Sequence, residues 1–457
     1  MPVLDENSVA RSKYYDIVIV GAGILGISMS FWLSQNYSAS VCILDMEDRA
    51  ARHTTSRNTG VIHRPFYLNP SKKKVFAAAA QKSYYMWSRL ASEYKLPWSQ
   101  VGTLELAIRE GDADTLNQYK KWALENGMDE TEIDILDSNG AKKVESDVNC
   151  LVAIFSKTDT AVDYAQFSNA LLNLAIKNGT IFLARQMVVA IRESEKGAEV
   201  TVKDETGNRA KISCRLLINA AGGASLDIAH SLGLARKYTD LHFRGDYWVV
   251  DSTFGSRITH NVYTVAKYKE FPFLDPHFIV RANGSREIGP NATLVTGPFV
   301  YEGMSSSVLE FLSKIFERPI VPKLKLFTNR KFLSLAWNER NSSSKNEMCK
   351  HAREFIPALS TRFLNARGLA GVRSSLIDKN GFVPEAVEIE GEHSFHVLNY
   401  NSPGATGAPA YSAYLINKMK EKGFLDGFTR KSVAEKIWRY EVASDFGTLS
   451  RERNLEK

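Results

Sequence analysis

The most regular pattern of apolar and polar positions lies near the start of the chain, in the segment DIVIVGAGILG. Residues 17–20 are all β-branched, which predicts a parallel strand that is buried on both faces. The strand breaks into Gly21, Gly23 and Gly26, the G-x-G-x-x-G spacing at which a strand turns into a helix. Such a turn lets the backbone approach a pyrophosphate, whose charge would face the N–H groups at the start of the helix.

A second apolar run, residues 40–44, supports the same interpretation because it ends at Asp45, 19 residues after Gly26. An acidic residue about 20 residues after the last glycine is expected to bind the ribose of a dinucleotide. Glycine turns of this spacing also occur for packing alone, so the second strand and Asp45 carry the argument. Together these features predict a dinucleotide-binding site.

Two later segments repeat the change from an apolar run to a glycine-containing turn. A predicted strand at 211–218 runs into NAAGG at 219–223, and FHVLNYNSPGATGAP at 395–409 begins as a strand and leads into a helix. Three such turns imply one cofactor domain that is assembled from separated segments. We predict that this domain comprises 14–95, 155–235 and 365–425, that a substrate domain comprises 96–154 and 236–364, and that a charged tail spans 430–457.

The other periodic segments fill in these two domains. Spacing of apolar residues predicts helices at 71–94, 112–144, 164–177 and 411–422. Strands are predicted at 102–108, 188–192, 199–202, 243–250, 277–282 and 292–295. The last three alternate polar and aromatic residues, which is typical of an antiparallel sheet with one wet face. The predicted fold class is therefore α/β and α+β, with a Rossmann-like cofactor domain and an antiparallel-sheet substrate domain.

Composition indicates a globular protein of two domains, since 457 residues are too many for one ordinary core. The 58 basic and 51 acidic side chains leave a net charge of +7, which could favour anionic substrates or a membrane surface. No basic run with interleaved aromatics suggests nucleic-acid binding. Neither a secretory signal at residues 1–15 nor a membrane span at 17–33 is expected, so we predict at most peripheral membrane contact.

The four cysteines, Cys42, Cys150, Cys214 and Cys349, are far apart in the chain. They are predicted to be buried, reduced thiols, because they form neither a disulfide framework nor the spacing of a zinc site. No metal site is predicted. This cysteine usage favours a cytoplasmic location, in solution or peripheral to the inner face of a membrane.

Five further motifs, taken with the first turn, resemble the D-amino-acid-oxidase superfamily of flavoproteins, and within it the L-2-hydroxyglutarate dehydrogenase/oxidase family. They are SRNTGVIHRPFY (56–67), FRGDYW (243–248), FPFLDPHF with IGPNATL (271–294), AGVR (370–373) and NSPGAT (401–406). The chain departs from that family in having Arg64-Pro65 after His63 and Ser374-Ser375 after Arg373. Residues 385–387 depart from it as well.

The resemblance implies that the cofactor is non-covalently bound FAD and that the enzyme oxidises the 2-hydroxyl of a small L-2-hydroxy acid, best matched by L-2-hydroxyglutarate. Backbone N–H groups at 404–406 would stabilise negative charge at the N1/O2 edge of the reduced flavin. The predicted FAD-binding residues are Gly21, Gly23, Gly26, Asp45, Ser56, Asn58, Thr59, Gly60, Val188, Ala221, Gly222, Gly404, Ala405 and Thr406.

His63 follows the segment that, by this resemblance, passes the flavin, and it is the predicted general base. An imidazole, with an ordinary pKa near ~6.5, can accept a hydroxyl proton while hydride leaves for the flavin. The alternative is a histidine that only hydrogen-bonds the backbone or the cofactor. Arg373 and Arg281, and less strongly Arg64 and Arg244, are candidates for binding substrate carboxylates, because guanidinium groups bind carboxylates with two parallel hydrogen bonds.

Other functions stay open at this stage. The chain could be an amine or amino-acid oxidoreductase similar to sarcosine or glycine oxidase, or a glycerol-3-phosphate oxidoreductase. With an amine no hydroxyl proton is removed, so His63 would matter less. A flavin-binding protein without substrate oxidation is a third interpretation. Oxygen, a quinone or another protein could reoxidise the flavin.

Overall fold

The computed structural model describes residues 13–267, 275–304, 308–432 and 437–447. Its helices, in chain order, are α1 Ile24–Asn36, α2 Lys74–Tyr94, α3 Asp112–Glu125, α4 Ser138–Val144, α5 Tyr164–Lys177, α6 Ser225–Ser231, α7 Ser252–Gly255, α8 Val308–Phe316, α9 Ile320–Phe327, α10 Arg330–Ser342, α11 Lys345–Ala352, α12 Gly404–Glu421 and α13 Tyr440–Ser444. Its strands are β1 Lys13–Val20, β2 Val41–Leu44, β3 Val61–Ile62, β4 Thr103–Ala107, β5 Ile133–Asp137, β6 Val152–Ser156, β7 Thr160–Ala161, β8 Ile181–Leu183, β9 Met187–Ser194, β10 Gly197–Lys203, β11 Arg209–Asn219, β12 Thr239–Gly245, β13 Trp248–Val250, β14 Asn261–Thr264, β15 His277–Val280, β16 Arg286–Gly289, β17 Thr293–Val295, β18 Leu364–Arg367, β19 Gly371–Asp378, β20 Gly381–Phe382, β21 Val387–Glu390 and β22 Ser394–Leu398.

The first sheet contains five parallel strands in the order β22-β11-β1-β2-β8, with β21 antiparallel at one edge. Strand β1 is buried between its neighbours, with Ile17 opposite Leu216 on β11 and Val41 on β2. Its side chains alternate between two hydrophobic cores, one under the helices and one under the β9–β11 meander. The predicted Rossmann-like layer is confirmed, and it is assembled from early, middle and late segments. The domain boundaries stay predictions.

Two further sheets contain most of the strands outside this first sheet. The larger is mostly antiparallel, in the order β18-β13-β16-β15-β14-β4-β6-β5, and the smaller has the order β17-β12-β19-β20. The single strand predicted at 243–250 is in fact two, because β12 ends at Gly245 and β13 begins in the other sheet. A Cβ on Gly245 would lie 2.6 Å from Cβ of Pro290, so the chain crosses between the sheets where only glycine fits.

The polar segment 112–144 is not one helix. The helix α3 ends before Gly127, whose φ of +88° is a backbone conformation that favours glycine. Residues 133–137 then pair with β6 as strand β5, and α4 follows directly. Helices α8 to α11 were not predicted either.

The four cysteines and two aromatic residues of the C-terminal segment are buried. All four cysteines are free and buried, as predicted. Burial raises the pKa of Cys42 and of Cys214 to about 12, which leaves them protonated. In the described part of the predicted charged tail, Trp438 and Tyr440 are buried against the aromatic side chains of α1. The rest of the tail, 433–436 and 448–457, and motif residues 271–274 lie outside the described residues.

Candidate active site

A cavity of about 550 Å³ runs along the edge of the parallel sheet where the three glycine-containing turns meet. It is lined by His63 and Arg373 as well as by cofactor candidates. The candidates on its wall are Gly21, Gly23, Asp45, Asn58, Thr59, Val188, Ala221, Gly222, Gly404, Ala405 and Thr406. Three other candidates, Gly26, Ser56 and Gly60, do not line it. The structure therefore brings together most of the residues that were singled out in the sequence.

The first turn is shaped by its glycines. Gly21 has a φ of +104°, and a Cβ there would lie 2.6 Å from the carbonyl oxygen of Ala220. A Cβ on Gly26 would lie 2.0 Å from the carbonyl oxygen of Gly21, so only glycine lets α1 pack this closely on the turn. The helix starts after Gly23 without a side-chain cap. The N–H of Ile24 at this helix start donates to the hydroxyl of Thr55 at 3.0 Å, and Gly23, Ile24 and Leu25 line the cavity beside the positive end of the helix dipole.

Asp45 lies at the end of β2 beside this turn. Its carboxylate accepts hydrogen bonds from the N–H of Ala22 at 2.7 Å and of Glu47 at 3.0 Å. Burial raises the pKa of Asp45, while these two hydrogen bonds oppose the rise. Asp45 thus stabilises the turn directly, and its binding to a ribose stays a prediction.

The second and third turns line the cavity farther along the sheet edge. Asn219 holds the second turn, because its side-chain oxygen accepts from the N–H of Ala221 at 3.2 Å. The third turn leads into α12, which also begins without a side-chain cap. The hydroxyl of Thr406 accepts from the N–H of His63 at 3.1 Å and lies 3.0 Å from the hydroxyl of Tyr164. This contact brings the start of α12 to His63.

The loop between β2 and β3 holds the remaining cofactor candidates. Asn58 donates to the carbonyls of Thr54 and Thr55 and accepts from the N–H of Gly60, which has a φ of +69°. The hydroxyl of Ser56 hydrogen-bonds to carbonyls within the loop. Ser56 and Gly60 therefore shape this loop. Two uncapped helix starts and bare glycine backbone on one long cavity fit a dinucleotide such as FAD.

His63 is held by a buried carboxylate. Its Nδ1 lies 2.9 Å from Oδ2 of Asp159, which is fully buried. A carboxylate only accepts hydrogen bonds, so Nδ1 carries a hydrogen, and the neutral form of the ring has its lone pair on Nε2. Asp159 also accepts from the hydroxyls of Thr103 at 2.9 Å and Ser156 at 2.6 Å, which fix it in place. The imidazole is thus oriented as a proton acceptor at the cavity.

Arg373 lies on β19, opposite Phe243 of β12, and lines the same cavity as His63. Burial lowers the pKa of Arg373, and the nearby Tyr247 and Tyr67 oppose this shift. A guanidinium stays charged across the physiological range even so. The cavity is therefore lined by a cation and by an oriented imidazole.

The other three candidate arginines are paired with carboxylates and do not line the cavity. Arg281 donates to Glu287 from Nε at 3.1 Å and from Nη2 at 2.5 Å, and to the carbonyl of Asn58. The other two pairs are Arg64 with Glu132 at 2.6 and 3.0 Å, and Arg244 with Asp246 at 3.0 Å. The ion pairs engage each guanidinium within the fold, and Arg281 also contacts the cavity wall through the carbonyl of Asn58.

Comparison with known proteins adds to this geometry. Residues 16–418 match the DAO family model, described as FAD dependent oxidoreductase. The mitochondrial L-2-hydroxyglutarate dehydrogenases of Nematostella vectensis and Homo sapiens are each 26% identical to this chain; the alignments cover 90% and 92% of it, and 91% and 92% of the relatives. The L-2-hydroxyglutarate dehydrogenase of Indibacter alkaliphilus is 28% identical, over 86% of this chain and 96% of its own.

Solved structures share the fold. An L-alpha-glycerophosphate oxidase from Mycoplasma pneumoniae with FAD bound is 21% identical, with a TM-score of 0.69 over 92% of this chain and 97% of that one. A glycine oxidase from Geobacillus kaustophilus is 16% identical, with a TM-score of 0.65 and the same coverage of both chains.

Proposed function

Since this chain belongs to the DAO family of FAD-dependent oxidoreductases, we propose that it oxidises the C2 hydroxyl of a small L-2-hydroxy acid, with L-2-hydroxyglutarate as substrate. One observation carries the proposal: His63, oriented by a buried carboxylate, and Arg373 line the cavity that the three glycine turns share. The names of the relatives that match about nine-tenths of this chain support the choice of substrate.

The geometry supplies a role for each side chain. Nε2 of His63 accepts the proton of the C2 hydroxyl, and Asp159 stabilises the imidazolium that forms. Arg373 binds the C1 carboxylate and so fixes which face of C2 is presented. FAD would supply the hydride acceptor for oxidation at C2. The backbone N–H groups of Gly23, Ala405 and Thr406 would hold it, since those of Gly21 and Gly404 already donate to the carbonyls of Leu44 and Asn401.

Anaerobic mixing of the FAD-bound enzyme with single compounds tests this function. We expect L-2-hydroxyglutarate to bleach the flavin absorbance within one turnover, and glycine, sarcosine and glycerol-3-phosphate to leave it unchanged. Bleaching by an amine or by glycerol-3-phosphate in place of the hydroxy acid would contradict the proposal. If no compound bleaches a flavin that dithionite reduces, the chain is not an oxidoreductase of these substrates.

A second prediction is that FAD is bound non-covalently. The purified protein should be yellow and release intact FAD on denaturation. Asp45→Ala should weaken FAD retention without unfolding the chain, because it removes hydrogen bonds worth roughly 1.5–3 kcal/mol from the first turn and its ligand. Flavin fluorescence released after gel filtration measures the effect. Asp204→Ala, in an exposed turn that does not line the cavity, is the matched control. Flavin that stays attached to the denatured chain would contradict non-covalent binding.

Within the described residues, no helix is long and apolar enough to cross a membrane. Peripheral contact has a candidate surface on α8, α9 and α10, where seven large apolar side chains are exposed. They are Leu309 at 79%, Leu312 at 43%, Phe316 at 60%, Val321 at 63%, Leu324 at 52%, Leu333 at 46% and Trp337 at 63%. Four basic residues of the segment 308–338, Arg318, Lys325, Arg330 and Lys331, are exposed, whereas Lys314 and Lys323 are paired with Asp240 and Glu317. Apolar groups flanked by cations suit an anionic bilayer.

Vesicle binding tests this surface. We expect the FAD-bound protein to sediment with phosphatidylglycerol vesicles at low salt, and less with phosphatidylcholine or at high salt. The pair Phe316→Ser and Val321→Ser should reduce binding several-fold, because it removes the apolar contact. Leu369→Ser, at a similarly exposed position on the β18–β19 loop, is the control. Equal binding by both variants, or a dimer that masks α8 and α9, would contradict the proposal.

A further inference from the structure

A five-carbon diacid has a second carboxylate that needs its own hydrogen-bond donors. The arginines that the sequence offered for it, Arg281, Arg64 and Arg244, are paired with Glu287, Glu132 and Asp246. Arg373 lines the same cavity as His63, and under the proposed function it binds the carboxylate next to C2. Because the guanidinium groups of the other arginines are engaged by carboxylates, the tyrosine hydroxyls behind His63 are better candidates for the distal carboxylate, and the rings of Tyr67 and Tyr263 both meet the ring of His63.

Tyr263 on β14 packs against two histidine rings and has a buried hydroxyl. Its ring stacks on His277 of β15, with centroids 4.0 Å apart and planes at 15°. Its edge meets the ring of His63 at 5.7 Å and 85°. Over the residues that the structure describes, the hydroxyl of Tyr263 and Nε2 of His277 are both buried and have no hydrogen-bond partner. Buried polar atoms are almost always paired, so these two await a partner that the protein does not supply.

Tyr247 and Tyr67 join Tyr263 at this wall, where charges of both signs act. Burial raises the pKa of both tyrosines. Arg281 and Arg373 lower the pKa of Tyr247 and Arg373 lowers that of Tyr67, while Glu287, Asp159 and Glu105 oppose them. Burial raises the pKa of Tyr263 well above its ordinary value, so its hydroxyl keeps its proton and can donate. The wall therefore presents neutral donors near a fixed cation.

His277 cannot serve as a second cation in this pocket. Its Nδ1 lies 3.2 Å from the carbonyl of Asp275 and must donate to it, because a carbonyl only accepts. Burial lowers the pKa of His277 to about 3, so the ring is neutral and Nε2 carries a lone pair. Its contribution is the flat surface on which Tyr263 stacks, which fixes the direction of the hydroxyl.

On the basis of the proposed function, we propose that the hydroxyl of Tyr263 donates a hydrogen bond to the distal carboxylate of L-2-hydroxyglutarate. Arg373 binds the carboxylate next to C2, and His277 is a positioning residue that orients Tyr263 by stacking. Selection of a diacid over a monoacid then depends on a neutral hydroxyl and not on a second arginine.

Steady-state kinetics of the FAD-bound enzyme with L-2-hydroxyglutarate and L-2-hydroxybutyrate test this assignment. Tyr263→Phe keeps the stacked ring and removes only the hydroxyl. We expect it to raise KM for the diacid by about 10- to 100-fold, the range for a hydrogen bond to a charged group, with kcat within about threefold. KM for the monoacid should not change. Tyr119→Phe, on a tyrosine that packs against Phe66 and Trp122, is the control.

Two variants of His277 test whether this residue positions Tyr263. His277→Ala should raise KM for the diacid and leave kcat within about threefold, whereas His277→Phe, which restores a flat ring, should recover most of the loss. A merely structural role would lower kcat and FAD retention for both substrates. If Tyr263→Phe does not retain FAD, Tyr263→Met provides the same test.

The outcomes separate this inference from the proposed function. A wild-type enzyme that oxidises neither hydroxy acid, or the monoacid as well as the diacid, contradicts the proposed substrate. A wild-type enzyme that prefers the diacid, with a Tyr263→Phe variant that keeps the full preference, overturns the role of Tyr263 alone. An equal rise in KM for both substrates also overturns it, because the hydroxyl would then not act on the distal carboxylate.

Discussion

His63→Ala is expected to slow reduction of the flavin by L-2-hydroxyglutarate by about 10²–10⁴-fold, the usual range for loss of a general base. The physical reason is that Nε2 of His63 is the proton acceptor that the buried Asp159 orients toward the cavity. FAD should stay bound, since the imidazole is not part of the glycine turns. Anaerobic stopped-flow absorbance measures the rate in a single turnover, free of the reoxidation step.

His260 provides a matched control for this experiment. It pairs through Nδ1 with the buried Glu145 at 2.6 Å, in the same manner as His63 with Asp159, but it does not line the cavity. His260→Ala should leave the single-turnover rate unchanged. Asp159→Asn should slow reduction and change its pH profile, because an amide does not stabilise the imidazolium. Near-normal reduction in His63→Ala would contradict the assignment of the base.

Arg373→Lys is expected to raise KM for L-2-hydroxyglutarate and for L-2-hydroxybutyrate alike, by about 10- to 100-fold. A lysine keeps the charge but cannot form the two parallel hydrogen bonds of a guanidinium with the carboxylate that both substrates carry. This result differs from that of Tyr263→Phe, which should affect the diacid only. Initial-rate kinetics with both substrates measure the difference.

Arg362→Lys serves as the control for a change of arginine to lysine, since Arg362 is exposed and rests on the ring of Phe363. It should leave both KM values within twofold. If Arg373→Lys behaves as this control does, the carboxylate next to C2 is not bound by Arg373. The amine and glycerol-3-phosphate interpretations would then regain weight.

The cofactor layer could be predicted from the sequence because its signals are local. A β-branched strand, glycines at fixed spacing and Asp45 at a fixed offset are read within 30 residues, and the structure places Gly21, Gly23 and Asp45 on one cavity. The substrate domain was harder to predict. In 112–144 the polar surface of α3 continues into β5, where only Ile133 is buried, so the alternation of a strand is weak.

The candidate site was predictable only in part, because some of its contacts join residues that are far apart in the chain. Asp159 is 96 residues from His63 and reaches it through the strand pairing of β3 with β7, so no spacing in the chain relates the two. The arginines had looked alike in the sequence. A signal was present for two of them, since Asp246 follows Arg244 by two residues and Glu287 lies across a hairpin from Arg281. An acidic residue placed in this way indicates that the arginine already has an ion-pair partner within the protein.

The joining of distant segments at one cavity has a consequence for how the protein is made. Gly21 leaves the ribosome hundreds of residues before Gly404, and the ring nitrogen of Trp32 on α1 donates to the carbonyl of Pro409 on α12. The cofactor cradle therefore does not exist during most of synthesis, and the nascent chain must protect the apolar face of α1 until α12 arrives. All three turns are present only once α12 has been made, and a chain cut short before residue 404 lacks the third of them.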